Sequence, residues 1–305
     1  MVKIRRCSPS VLRLPSAAVA VAVVLAWASP CLAQSVERDM FVSVLDRADT
    51  PVLTLGAPDF IVREDGRVRE VLRARRAADV IDIALLVDTS QALGNQVNDV
   101  RKGLEAFLAR MLAQAQISIV GLADRPTIYA DYTNSPEALA RGVGRIFPVQ
   151  GAGAYTLDAV SEVLKGLATR KPERAAVVVI WAGGREFGTE SDDTLVKALL
   201  ERGASLHVIA IGTHIPADAR TTEGRNRELL FDRGTTATGG RRKNLLSSMS
   251  MTDALDRLAA ELLGQYRITF ARPDTLVPPE KTEVSVRPAG LTARGVLVAA
   301  VKAPQ

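Results

Sequence analysis

Four largely apolar runs constrain this chain more than any other feature: IDIALLV (81–87), ISIVGLA (117–123), AAVVVIWA (175–182) and SLHVIAIG (205–212). A strand that is apolar on both sides needs cover on both faces, which is the situation of strands in a parallel sheet. The stretches between the runs carry apolar residues three and four apart. Val97, Val100, Leu104, Phe107 and Met111 form one such stripe, and Leu157, Val160, Leu164 and Leu167 another. Ser135-Pro136-Glu137 starts a further helix, with serine as N-cap and proline in the first turn. A fourth helix is expected over 191–202, before Gly203, and a last one over 253–263, with Leu255, Leu258 and Leu262 on one stripe and a stop at Gly264. Strand and helix alternating in this way require right-handed crossovers and an open sheet with helices on both faces. The expected fold class is therefore α/β, a doubly wound, mostly parallel sheet over residues 79–265.

The flanks read differently. Residues 34–78 alternate apolar and polar positions at 41–45, 60–63 and 68–72, with turn residues Glu64-Asp65-Gly66 between them, the pattern of a small antiparallel β unit. Residues 266–305 alternate again in QYRITFARP and KTEVSVRP and then run on into RGVLVAAV, with no helix beside them. The strands of both ends are expected to pack together in a second, smaller β lobe.

The first 33 residues order four basic side chains, an apolar run at 17–28 and a small-residue exit at Ala33, which reads as a signal peptide for export. Cleavage there leaves 35 basic residues against 34 acidic, so the basic balance of the whole chain belongs to the leader and gives no reason to expect a nucleic-acid partner. Cys7 and Cys31 also lie in the leader, so the mature chain is expected to have neither disulfide nor thiol chemistry. No second apolar stretch is long enough for a membrane span. The expected location is periplasmic or extracellular.

In an open α/β sheet, sites form beyond the carboxyl ends of the strands. Asp88, at the end of LLVDTSQALGNQ, takes that place, with Ser90 and Gln91 leading toward the next helix. The strand IDIALLVDTS, the helix after it, and the apolar strands ending near Gly183 and Gly212 resemble the von Willebrand factor A domain. FVSVLDRADTPVLTLGAPDFIVREDGRVREV, the glycine pair in TATGGRR, and LLGQYRITFARP with KTEVSVRP make the chain similar to the exported bacterial proteins called VWFA-related. The resemblance spans about residues 40–300. It implies a metal-ion-dependent adhesion site at this loop, built on Asp-x-Ser-x-Ser, a threonine from a second loop and an aspartate from a third. Mg²⁺ needs six oxygens in an octahedron, and hydroxyls at alternate positions after an anchoring carboxylate present one face of it.

The chain departs from that pattern. Asp88 and Ser90 match, but Ala92 stands at the third position. In GAGAYTLDAV the threonine position falls on Ala154, with Thr156 two residues away, and in IWAGGREF the aspartate position falls on Gly183, or on Ala182 with a slip of one. A degenerate site of Asp88, Ser90 and Thr156 is expected to bind Mg²⁺ at low affinity or to need no cofactor. Arg185 could reach the vacated space and neutralise Asp88 in place of the ion. The simpler reading is that Asp88 caps the next helix and Arg185 is a solvated loop residue.

Enzyme readings lack partners. An aspartic-type hydrolase built on Asp88-Thr89-Ser90 needs a second such carboxylate, and only one copy occurs. Ser90 stands where an Asp-x-Asp phosphatase has its second acid, and neither a Gly-x-x-x-x-Gly-Lys loop nor a Gly-x-Ser-x-Gly elbow is present. His207 lies within an apolar strand and reads as a core histidine. His214 sits in the long segment THIPADARTTEGRNRE, which with REFGTESDD borders the Asp88 end of the sheet. The expectation is a non-catalytic protein of adhesion or scaffold type that binds a protein partner through a rim including Arg185 and His214. The competing class is a structural envelope protein that makes its contact through the β lobe.

Overall fold

A six-stranded sheet in the order β10-β9-β8-β5-β6-β7 forms the centre of the computed structural model, which describes residues 35–212, 218–274 and 277–299. Its strands are β5 (Ile81–Val87), β6 (Ala115–Gly121), β7 (Thr127–Thr133), β8 (Arg174–Trp181), β9 (Ala204–Ile211) and β10 (Arg242–Leu245). All neighbours run parallel except β7, which returns antiparallel to β6. Every residue of β5, β8 and β9 is buried, as largely apolar strands covered on both faces require, with Asp82, Arg174, Ser205 and His207 the polar exceptions.

Two cores flank the sheet. On one face Ile81, Ile83, Leu85 and Val87 of β5 pack against helices α1 (Val97–Met111), α2 (Pro136–Gly144) and α6 (Met251–Leu263), through Phe107, Leu139 and Leu255 among others. On the other, Leu86, Val177 and Leu206 meet α3 (Thr156–Arg170) and α4 (Asp192–Glu201). The expected N-cap at Ser135 forms, its side chain accepting from Ala138 N, and Ser191 caps α4 from Thr194 N in the same way.

The segment after Gly212 is shorter as a loop than the sequence suggests, because α5 (Thr222–Leu229) interrupts it. Thr221 caps this helix by accepting from Gly224 N. No apolar stripe announces it, since the residue it buries most completely is Arg227. The antiparallel β7 was also not expected; its mixed composition TIYADYT fits an edge strand with one wet face.

The chain ends pair with each other. β1 (Ser35–Leu45) runs antiparallel to both β11 (Tyr266–Pro273) and β13 (Thr292–Leu297), and β4 (Val71–Arg76) completes a sheet in the order β13-β1-β11-β4. β2 (Phe60–Glu64), β3 (Arg67–Arg69) and β12 (Thr282–Val286) form a three-stranded sheet packed on it around Phe60, Val62, Tyr266 and Phe270. The glycine pair at 239–240 sits where this lobe meets the central sheet. A Cβ on Gly240 would lie 1.8 Å from the Leu206 carbonyl oxygen, and one on Gly239 2.4 Å from that of Gly295. Only glycine allows these backbones to come so close. Among the described residues, no helix is long and apolar enough to cross a membrane.

Candidate functional site

Counted along the α/β domain, the strand order reverses between β5 and β8, which opens a crevice beyond their carboxyl ends. Asp88 follows β5 there and is completely buried, as are Thr89 and Ser90. Its carboxylate is held by three main-chain donors. Oδ1 accepts from Ser90 N, and Oδ2 accepts from both Ala182 N and Gly184 N, each at 3.0 Å. Ser90 Oγ accepts from Ala92 N at 3.3 Å and caps the short 3-10 turn Gln91–Gln96.

Gly183 makes the double contact on Oδ2 possible. Its φ of +99° turns the chain so that the N–H groups on either side of it point at one oxygen. Gly184 then lies so near that an added Cβ would be 2.4 Å from Ser90 Oγ and 2.9 Å from Asp88 Oδ2. The position at which the third loop would present a carboxylate is thus occupied by main chain that binds Asp88 itself.

These residues do not fit Mg²⁺. Both lone-pair directions of Oδ2 face N–H groups, Ala92 and Gly183 bring no oxygen from a side chain, and the Gly184 backbone closes on the two candidate ligands. Among the described residues, no three His, Cys, Asp or Glu side chains gather closely enough to hold an ion.

Thr156 belongs to a different cluster. It opens α3, is fully buried, and faces the buried carboxyl of Glu186 outside good hydrogen-bond geometry, so Thr156 Oγ1 and Glu186 Oε2 both lack a close partner. Glu186 Oε1 accepts from Gly188 N at 3.0 Å and Leu157 N at 3.3 Å. Burial pushes the Glu186 carboxyl up to about 7, with the Thr156 hydroxyl, those two N–H groups and the Arg227 charge opposing the shift.

Behind it, Arg227 and Asp218 form a buried bidentate pair at 2.7 and 3.0 Å. Asp218 Oδ2 also accepts from Glu186 N at 2.6 Å, while the guanidinium lies 4.4 Å from the Trp181 ring centroid. Burial alone would raise the Asp218 carboxyl, yet Arg227 and the Glu186 N–H together hold it below the usual carboxylate range. Asp218, Arg227 and Glu186 are not among the residues the sequence reading selects. The one available signal was Thr221-Thr222-Glu223, a capping threonine followed by an acidic first turn at the start of α5.

Arg185 does not reach Asp88. It is exposed, its guanidinium 5.1 Å from the centroid of the Phe187 ring, which in turn stacks on Tyr155 at 6.0 Å. Phe187 can lie flat because residue 153 is glycine; a Cβ there would be 2.2 Å from the ring. Arg185, Phe187, Ser90, Gln91 and the 151–153 loop line an open groove of about 480 Å³. The structure therefore brings Asp88, Ser90 and Arg185 to one rim and sets Thr156 beneath it with Glu186. His214 lies outside the described residues.

Fold and site together define a doubly wound α/β domain with its crevice at the strand-order reversal. The chain belongs to the von Willebrand factor type A domain family, whose pattern matches residues 82–234, half of its length. No curated protein matches it in sequence. Among solved structures it is similar to proximal thread matrix protein 1 from the mussel byssus, at 13% identity and a TM-score of 0.50 over 70% of this chain and 50% of that one. It is also similar to a von Willebrand factor type A protein from Catenulispora acidiphila, at 9% identity and a TM-score of 0.50 over 87% of this chain and 74% of that one. The vWF domain of the pilus tip protein Mfa5 from Porphyromonas gingivalis aligns at 11% identity and a TM-score of 0.46, over 61% and 96%. The chain thus spans about half the length of the mussel protein, and the likenesses to the mussel and Catenulispora acidiphila proteins establish the fold alone.

Proposed function

We propose that this is an exported, non-catalytic binding protein that engages a protein partner through the rim of the crevice, without a metal ion. The observation that carries the reading is the enclosure of Asp88. A carboxylate whose oxygens serve three main-chain N–H groups, with no exposed surface, organises the rim and takes part in no contact of its own. The same enclosure gives a hydrolytic role for Asp88 no support, since its side chain has no exposed surface. What remains on the surface is a groove with glycine walls beside an exposed arginine and aromatic ring, a surface suited to recognition. The signal-like leader supports export to the periplasm or exterior.

A second reading has its own observation. β4 ends the four-stranded sheet as an open edge and carries Arg73, Arg75 and Arg76, so the β lobe could make the contact in a structural envelope role. Site-specific photocrosslinking separates the two. A crosslinking residue placed at Gln91 should give a discrete adduct in the producing cell that persists with a chelator present, whereas one at Leu72 should not. Adducts from Leu72 alone would transfer the function to the lobe.

A further inference from the structure

We infer that the groove takes a carboxylate side chain from an extended segment of the partner directly on the Arg185 guanidinium, with no ion between them. This rests on the rim being the binding face and adds the chemistry that it recognises.

Charge comes first. No acidic residue lines the groove, and the one acid beneath it, Asp88, is sealed under main-chain donors. Among the described residues, no carboxylate pairs with Arg185. An exposed cation without a partner, at the mouth of a cleft free of acids, attracts an anion from outside the molecule.

Presentation comes second. The Arg185 guanidinium lies 5.1 Å from the Phe187 ring centroid, within the range of a cation–π contact. The planar guanidinium fork matches a two-oxygen planar anion, which favours a carboxylate over a point-like acceptor. Further donors stand across the cleft. Gln91 Oε1 already accepts from Gly151 N at 3.0 Å, which leaves the side-chain NH₂ of Gln91 to donate into the groove.

Access comes third. Gly151 and Ala152 line the groove together with Arg185 and carry no side chain beyond a Cβ. Residues this small let the main chain of an incoming segment approach the groove closely.

The test uses the full mature chain in a chelating buffer and four labelled decapeptides that differ only in a central Glu, Gln, phosphoserine or Lys. Affinities are measured, and backbone amide shifts at Gly151, Gly153 and Gly184 locate the bound peptide. The expected result is groove shifts with the Glu peptide and affinity roughly tenfold above the Gln peptide, the difference disappearing in Arg185→Gln. Because Arg185 is exposed and its side chain makes no hydrogen bond or ion pair among the described residues, an unchanged spectrum elsewhere will show that this variant folds. Glu and Gln peptides binding the groove equally would overturn the carboxylate assignment and leave the rim as the binding face. No peptide shifting the groove amides would overturn both. Preference for phosphoserine, or binding that appears only when Mg²⁺ is added, would overturn direct capture of a carboxylate.

Discussion

Gly184 N donates to Asp88 Oδ2 at 3.0 Å, joining the end of β8 to the end of β5 where the two strands diverge. The rim is therefore built around an internal anion, and its geometry is set by how closely the glycine backbone approaches that anion. Gly184→Ala places a methyl 2.4 Å from Ser90 Oγ, so the third loop must lift. Overpacking of this kind costs about 1–3 kcal/mol. The expected outcome in urea denaturation is a lowered midpoint with an unchanged slope, together with altered amide shifts at Ala182 and Ser90.

Asp88→Asn tests the anion itself. Three N–H groups converge on two oxygens, so an amide in either orientation turns a donor toward at least one of them. Leaving a buried donor unmatched costs roughly 1–3 kcal/mol, and more where the lost acceptor was charged. The variant should unfold at clearly lower denaturant than the parent, and calorimetric titration of Mg²⁺ into either protein should give no saturable heat. Saturable heat in the parent that the substitution abolishes would show that the site binds metal after all.

Gly183→Asp would place the carboxylate of the resembled family back at its position. It is not expected to create an ion site, because φ is +99° at this residue and Asp88 Oδ2 already faces two N–H groups. The backbone conformation alone costs about 1 kcal/mol or more for a residue with a side chain. Thermal melts with and without Mg²⁺ should show the same loss of stability in both conditions.

Much of the fold was legible, since largely apolar runs must be buried on both faces and helical stripes must cover them; β5, β8 and β9 follow directly. The departures at Ala92 and Gly183 were legible as missing side-chain oxygens. That main chain takes their place was not, because a carboxylate held by backbone N–H groups leaves no mark on side-chain identity except a glycine. Arg227 escaped for a related reason: a buried cation carries no apolar periodicity, and its partner Asp218 lies nine residues away in a segment that reads as an ordinary polar loop.

Arg227→Leu removes one half of a fully buried pair and leaves the Asp218 charge with only main-chain N–H groups, those of Glu186 and of Asp218 itself, against it. Breaking such a pair by deleting one partner costs about 3–5 kcal/mol. Arg227→Lys should recover little of this, because one ammonium cannot reproduce the bidentate contact and the stacking on Trp181. Chemical denaturation should place both variants well below the parent, and crosslinking from Gln91 should weaken, since Asp218 steadies Glu186 at the foot of the rim.

Two buried groups give the fold opposing responses to pH in overlapping windows. Burial pushes Glu186 from 4.5 up to about 7, so between those values the folded chain holds a proton that the unfolded chain has released. Stability from this group is complete below pH 4.5 and is lost as pH rises toward 7. His207, fully buried beside Ser205, is pushed by burial from 6.5 down to about 4, with Glu261 opposing the shift and Arg294 and Arg241 adding to it. There the unfolded chain binds the extra proton, so stability is complete above pH 6.5 and is lost as pH falls toward 4. Between about pH 4.5 and 6.5 the two slopes oppose each other, and the parent should respond only weakly to these groups. Glu186→Gln removes the falling limb and should leave stability rising with pH across that range. His207→Gln removes the rising limb and should leave stability falling up to about pH 7. Unfolding midpoints of the parent and both variants, measured at half-unit steps from pH 4 to 8, check the assignment. Parallel curves for all three would show that neither group carries a shifted proton in the folded state.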